Sequence, residues 1–165
     1  MKIGVISDTH IAGSFSKFPQ KIYECFKDCD LIVHAGDAVE MSVIKELGTI
    51  AETRAVWGNM DSAELRERLP EKIIFEAKGK KIGVIHGKGT SAQIMQVVKS
   101  SFNKKLDIII FGHSHLPTNE KKEGTLFFNP GSATDKVFAP YCSFGIIYIE
   151  NGNIRGEIIK IDEEN

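Results

Sequence analysis

Cysteine is scarce and odd in number: Cys25, Cys29 and Cys142 are the only three in 165 residues. Cys25 lies in a predicted helix and Cys29 just past its end, an arrangement that fits reduced thiols better than a disulfide framework. With no further cysteine beside them, Cys25 and Cys29 read as packed thiols rather than metal ligands. Net charge is nearly absent, −1 at pH 7. That excludes a global field able to hold nucleic acid or an acidic membrane. The lysine pairs at 80–81, 104–105 and 121–122 are isolated and read as solvated turns and helix ends, so no nucleic-acid patch is evident. No apolar run approaches the roughly 20 residues of a membrane span. The first run, Ile3-Gly4-Val5-Ile6, stops at Asp8, so neither a leader nor an anchor is predicted and a cytoplasmic location is expected. Repeats, low-complexity tracts and linkers are also missing. One domain over residues 1–165 is therefore expected, with Asp162-Glu163-Glu164 as a frayed tail.

What is present is an alternation of apolar runs and amphipathic stretches, the signature of an α/β fold. Strands are predicted at 2–6, 31–34, 53–56, 72–77, 81–85, 108–111, 125–128, 143–150 and 153–161. Helices are predicted at 19–27, 41–47, 62–68 and 91–102, with Ser62 and Ser91 as N-caps. Lys78-Gly79-Lys80 and Asn151-Gly152 read as hairpin turns. The first two-thirds of the chain is expected to be parallel and wound with helices, the last third antiparallel.

Histidine carries the functional signal. Four of the five histidines stand in short, glycine-marked segments just after predicted strands. Five strands end this way: Asp8-Thr9-His10, Gly36-Asp37, Gly58-Asn59-Met60-Asp61, His86-Gly87 and Gly112-His113-Ser114-His115. Open α/β sheets place ligands beyond the carboxyl ends of their strands, so these groups define one candidate site. Asp8 and His10 are two apart, which in an extended segment puts both on one face; His113 and His115 repeat the spacing. A carboxylate such as Asp37 can offer one oxygen to each of two cations. Asn59 adds a neutral carbonyl oxygen that leaves room for an anion. The donor set is nitrogen and oxygen without thiolate, suited to Mn, Fe, Co, Ni or Zn, whereas Mg and Ca prefer oxygen alone. Seven such residues exceed what one open catalytic metal needs, and two metals form the usual clamp for displacement at phosphorus. His34, inside an apolar run, reads as a hydrogen-bonded core residue. Lys88 reads as a solvent-facing loop residue. Phe15, Phe18 and Phe138 read as packing residues, and Ser132 as a donor near the site.

In this order, the motifs resemble those of the calcineurin-like metallophosphoesterase superfamily, and within it the small YfcE-type phosphodiesterases. The resemblance runs from Asp8 to Asn129-Pro130-Gly131-Ser132-Ala133. It implies two stacked, mainly mixed β-sheets flanked by helices, an αββα sandwich. It also implies one metal held by Asp8, His10, Asp37 and His115 and another by Asp37, Asn59, His86 and His113, with Asp37 bridging and Asn59 contacting the substrate phosphate. Glu40 stands where the family's second motif often has aspartate, outside the expected metal shell. Met60 stands where many members carry a histidine that protonates the leaving group; the small phosphodiesterases commonly lack it too.

The expected reaction is phosphodiester hydrolysis by hydroxide held between two divalent transition-metal ions, with a small phosphodiester as the partner. Two alternatives stand beside it. One is a phosphomonoesterase or nucleotide phosphatase using the same site. The other is a protein-binding scaffold, as in the retromer's phosphoesterase-like subunit. The loops at 11–18 and 133–141 are expected to set specificity. Self-association into a homo-oligomer is left open.

Overall fold

The computed structural model describes residues 1–12 and 18–161. Phe15 and the acidic tail therefore lie outside the described residues. Among the described residues, ten strands form two five-stranded sheets. The first has the order β10-β9-β1-β2-β3, built from β1 (Lys2–Ile6), β2 (Leu31–His34), β3 (Thr53–Ala55), β9 (Ser143–Glu150) and β10 (Asn153–Lys160). The second has the order β4-β5-β6-β8-β7, built from β4 (Lys72–Ala77), β5 (Lys80–Ile85), β6 (Ile108–Ile110), β7 (Thr118–Lys122) and β8 (Thr125–Asn129). Each sheet has three adjacent parallel strands, β1-β2-β3 and β5-β6-β8, with antiparallel strands completing it. The expected split into parallel and antiparallel thirds is thus corrected. β8 lies late in the chain yet runs parallel to β6, while β4 and β5 form a hairpin.

Burial follows from the period of each strand. Ile3, Val5, Leu31 and Val33 meet Ile82, Val84, Ile108 and Ile110 in the core between the sheets. The alternate residues of the central strands face outward, where helices cover them. Helices α1 (Gln20–Phe26), α2 (Met41–Ile50) and α3 (Ala63–Arg68) set Phe26, Leu47 and Leu65 against Ile6, Ile32 and Phe144. Helix α4 (Ile94–Ser100) sets Ile94 and Val98 against Ile109, Phe111 and Phe127. Parallel strands covered on both faces read as nearly continuous apolar runs, which is why they were legible.

Local differences have physical reasons. Ser62 caps α3, its hydroxyl accepting from the Leu65 amide at 3.4 Å. Ser91 caps nothing: Thr90 turns the chain instead, its carbonyl accepting from the Gln93 and Ile94 amides at 2.9 and 3.0 Å. Strand β7 was not predicted, because Thr118-Asn119-Glu120-Lys121-Lys122 is an exposed edge with no apolar alternation. Its lysines suit an edge that must not pair with another chain.

Candidate metal centre

The carboxyl ends of both parallel sets open on one side of the sandwich, and all seven candidate residues meet there. Asp8 and His10 follow β1, Asp37 follows β2 and Asn59 follows β3, all from the first sheet. His86 follows β5, and His113 and His115 follow β6, from the second. Asp8, His10 and His115 form one group able to hold a cation, and Asp8, Asp37 and His86 a second. Asp8 Oδ1 is 3.3 Å from His115 Nε2 and 3.9 Å from both His10 Nε2 and His86 Nε2. Asp37 Oδ2 is 3.3 Å from His86 Nε2 and 3.9 Å from His10 Nε2. Asn59 Oδ1 lies 3.2 Å from His86 Nε2 and 2.9 Å from His113 Nδ1.

The extended geometry expected for Asp8/His10 and His113/His115 is corrected. All four sit in left-handed backbone, at φ of 51°, 45°, 67° and 56°, and Asp37 does so at 59°. The chain still tracks β2 here, since the Asp8 amide donates to the Gly36 carbonyl and the His10 amide to the Asp37 carbonyl, each at 3.0 Å. Left-handed turns aim the side chains into the site at a conformational cost that clusters at functional sites. Gly58 is required by closeness alone: a Cβ there would stand 2.2 Å from Asp37 Oδ1.

The outer nitrogens of the rings are already engaged. His86 Nδ1 faces the Ala35 carbonyl at 2.8 Å, and His113 Nε2 faces the Gly89 carbonyl at 2.9 Å. Each therefore donates its ring N–H outward and turns its other nitrogen into the cluster, beside Asn59 Oδ1. His10 Nε2 and His115 Nε2 face each other at 3.2 Å, beside Asp8. Acceptors far outnumber donors in this pocket. Only cations, protons or metals, can fill it without repulsion, and the donor set fits divalent metal ions.

The matching family model agrees: the calcineurin-like phosphoesterase superfamily domain covers residues 1–152. The chain belongs to that superfamily. A probable metallophosphoesterase of Methanothermobacter thermautotrophicus is 34% identical to this phosphoesterase-family chain over 165 residues, covering 97% of it and 92% of the relative. A phosphodiesterase of Methanocaldococcus jannaschii is 33% identical over 147 residues, 79% of this chain and 83% of that protein. The zinc complex of Vps29 from Entamoeba histolytica superposes with a TM-score of 0.73 at 22% identity, covering 97% of this chain and 99% of the other. At that identity the likeness is one of fold. The two mixed sheets with outer helices are the metallophosphoesterase sandwich, and the family implies divalent metal ions.

Around this candidate site stand residues to which the sequence assigned no role of their own. Asp61 is buried and gathers three amides: Asp37 at 3.1 Å, Val39 at 2.6 Å and Gly58 at 2.7 Å. Arg66 on α3 donates to the Asn59 and Asp61 carbonyls and fixes the same turn. Asp135 hydrogen-bonds His115 Nδ1, an orienting carboxylate behind a ligand-type histidine. Nothing near Asp135 in sequence signals this, because the pair forms only when the β8–β9 loop folds back over β1.

Charge follows geometry. His115 is pushed up to about 9 by its hydrogen bond to Asp8, with Asp135 adding to it. Burial disfavours charge on His86, yet the Asp37 hydrogen bond and the nearby carboxylates raise its pKa overall. Burial opposes ionisation of Asp37, but His86, the Met60 amide and His10 outweigh it and hold the carboxyl low.

His34 is a core residue as expected. It joins Thr9 Oγ1 at 3.1 Å and accepts from the Gly36 amide at 3.2 Å, and burial lowers its pKa to about 4. Ser132 donates to the Asp8 carbonyl at 2.6 Å, and Lys88 is exposed. Phe18 packs in the core. Phe138 does not, contrary to expectation: it is 80% exposed at the mouth of the site. Among the described residues, no helix is long and apolar enough to cross a membrane.

Proposed function

We propose that this chain is a two-metal phosphodiesterase. The observation that carries the reading is the facing of seven ligand-type atoms, from both sheets, at one end of the sandwich. In this reading Asp8, His10, Asp37 and His115 hold one cation, and Asp37, Asn59, His86 and His113 the other. Asp37 would be the ligand that both cations share. Its Oδ1 accepts the Met60 amide at 2.7 Å, leaving Oδ2 to face both His10 and His86. Two such cations, being Mn, Fe, Co, Ni or Zn, would bring a water's pKa towards neutrality and offset charge on the phosphoryl oxygens.

The chain's own residues do the rest. Asn59 turns its carbonyl oxygen to the histidines, so its amide hydrogens are the donors that meet a phosphoryl oxygen. Met60 carries no proton to give, so a poor alkoxide leaving group is disfavoured and turnover should fall steeply as leaving-group pKa rises. The relatives named as a phosphodiesterase and a probable metallophosphoesterase support the same reaction class.

The test is hydrolysis of bis(p-nitrophenyl) phosphate by metal-stripped protein with Mn, Ni, Co, Zn or Mg restored separately. Asp37→Ala should lose turnover and metal together; activity surviving with metal intact would falsify the shared-ligand assignment. Faster turnover of p-nitrophenyl phosphate would make the chain a monoesterase. The fold likeness to Vps29 favours a second reading, a protein-binding scaffold. Metal binding with no turnover of any ester, together with capture of a defined partner, would support it.

A further inference from the structure

The cleft over the site, about 770 Å³, has two walls of different kinds. Its inner wall is the histidine and carboxylate cluster. Its outer wall carries Met60, Val137 and Phe138, which are 59%, 80% and 80% exposed, with Thr134 and Lys136 beside them. Single exposed apolar side chains are ordinary, but three converging from two loops on one charged cleft mark a ligand surface.

This wall is tied to the site. Asp135 Oδ1 accepts the Val137 and Phe138 amides at 2.7 and 3.0 Å, while its Oδ2 bonds His115 Nδ1. The Asp135 amide in turn donates to Ser132 Oγ at 2.9 Å, and that hydroxyl donates to the Asp8 carbonyl. One carboxylate thus sets both a ligand-type histidine and the backbone that carries Phe138.

Resting on the phosphodiesterase reading, we propose that Met60, Val137 and Phe138 seat an aromatic ring borne by the phosphate ester whose phosphate meets the cluster. An anion at the inner end and a flat apolar group at the outer end match the two walls. A phenyl face stacks on a ring, and a thioether sulfur favours aromatic contact, so a ring is preferred to an alkyl chain. Aryl esters and nucleotides share this chemistry.

The experiment titrates zinc-loaded protein, and its Val137→Ser/Phe138→Ala variant, with phenyl-, n-hexyl- and methylphosphonate by calorimetry. Val137 methyl resonances are followed in parallel. Phenylphosphonate should bind about tenfold tighter than methylphosphonate, move the Val137 methyls, and lose that advantage in the variant. The variant's KM for bis(p-nitrophenyl) phosphate should rise about tenfold while kcat changes less than threefold. Adenosine monophosphate binding tighter than phenylphosphonate would assign the seat to a nucleobase; weaker binding would assign it to a simple aryl group. Equal phenyl and methyl affinities, or hexylphosphonate matching phenylphosphonate, would overturn the proposal. So would a protein partner that protects Val137–Phe138 while phosphonates bind without regard to the ring. Ring-dependent binding with no turnover would leave the seat standing and remove only the phosphodiesterase reading. Turnover with a KM indifferent to both substitutions would remove the seat alone.

Discussion

The two ends of the sandwich use the same unusual backbone for opposite reasons. At the end away from the site, hairpins turn through Lys78-Gly79, Glu123-Gly124 and Asn151-Gly152, every one of these residues at positive φ. Paired left-handed residues make the tight turn whose twist matches the flanking strands, and a glycine in each pair lowers its cost. At the site end Asp8, His10, Asp37, Val39, His113 and His115 adopt that backbone without being glycine. There the conformation costs about 1–2 kcal/mol per residue, and the return is the direction in which each side chain points. One end is built for chain economy, the other for the placement of ligands.

The comparison can be broken or sharpened by substitution. The largest effect is expected from Gly58→Ala, whose Cβ would collide with Asp37 Oδ1. Displacing that carboxylate by an ångström should cost about 10²-fold or more in kcat. Circular dichroism should remain that of a folded protein, and a variant with unchanged kcat would mean that Asp37 is not held by closeness.

Next is Asp135→Asn, which keeps the shape and removes the charge behind His115. Divalent metal affinity should fall about 10–100-fold by calorimetry. His115 stands at about 9, so protons compete with metal there and affinity in the parent should rise with pH up to that value. Without the Asp135 charge His115 binds its proton less tightly, and the rise should shift to lower pH. An unshifted profile would remove Asp135 from this role.

A smaller effect is expected at the far end. Asn151→Ala should destabilise by about 1 kcal/mol, read as a lower Tm, while kcat/KM is unaltered. A change in turnover would show that the two ends are coupled.

The last prediction concerns acid. His34 is held to about 4 against an ordinary value near 6.5, so it is neutral in the fold while the unfolded chain takes up a proton. Stability contributed by neutral His34 is complete above about 6.5 and is lost as pH falls towards 4. His34→Gln, which retains hydrogen-bonding groups, should flatten the decline of Tm over that window.

Much of this site was legible because its chemistry is written locally. Asp8/His10, Asp37, Asn59, His86 and His113/His115 each follow an apolar run, so strand ends and ligands announce one another. The conformation that aims them was not legible, since neither aspartate nor histidine signals positive φ as glycine does. Asp135 was silent for a different reason. Its partner His115 is twenty residues away, and only the folded β8–β9 loop joins them. In the fold, the doubly covered strands were plain and polar β7 was not, because an exposed edge leaves no apolar period. Which strands share a sheet was also hidden, as β9 and β10 return from the chain's end to pair beside β1.

The ligand-type residues are divided between the sheets, Asp8, His10, Asp37 and Asn59 on one and His86, His113 and His115 on the other. A cation held by both groups would act as a rivet through two layers that otherwise adhere by apolar contact and a few hydrogen bonds. The layers' resistance to parting then becomes a function of free metal in the surroundings, growing with the logarithm of its concentration. Starved of metal, the molecule would loosen first along this seam, where carboxylates and histidines of the two sheets are left facing one another.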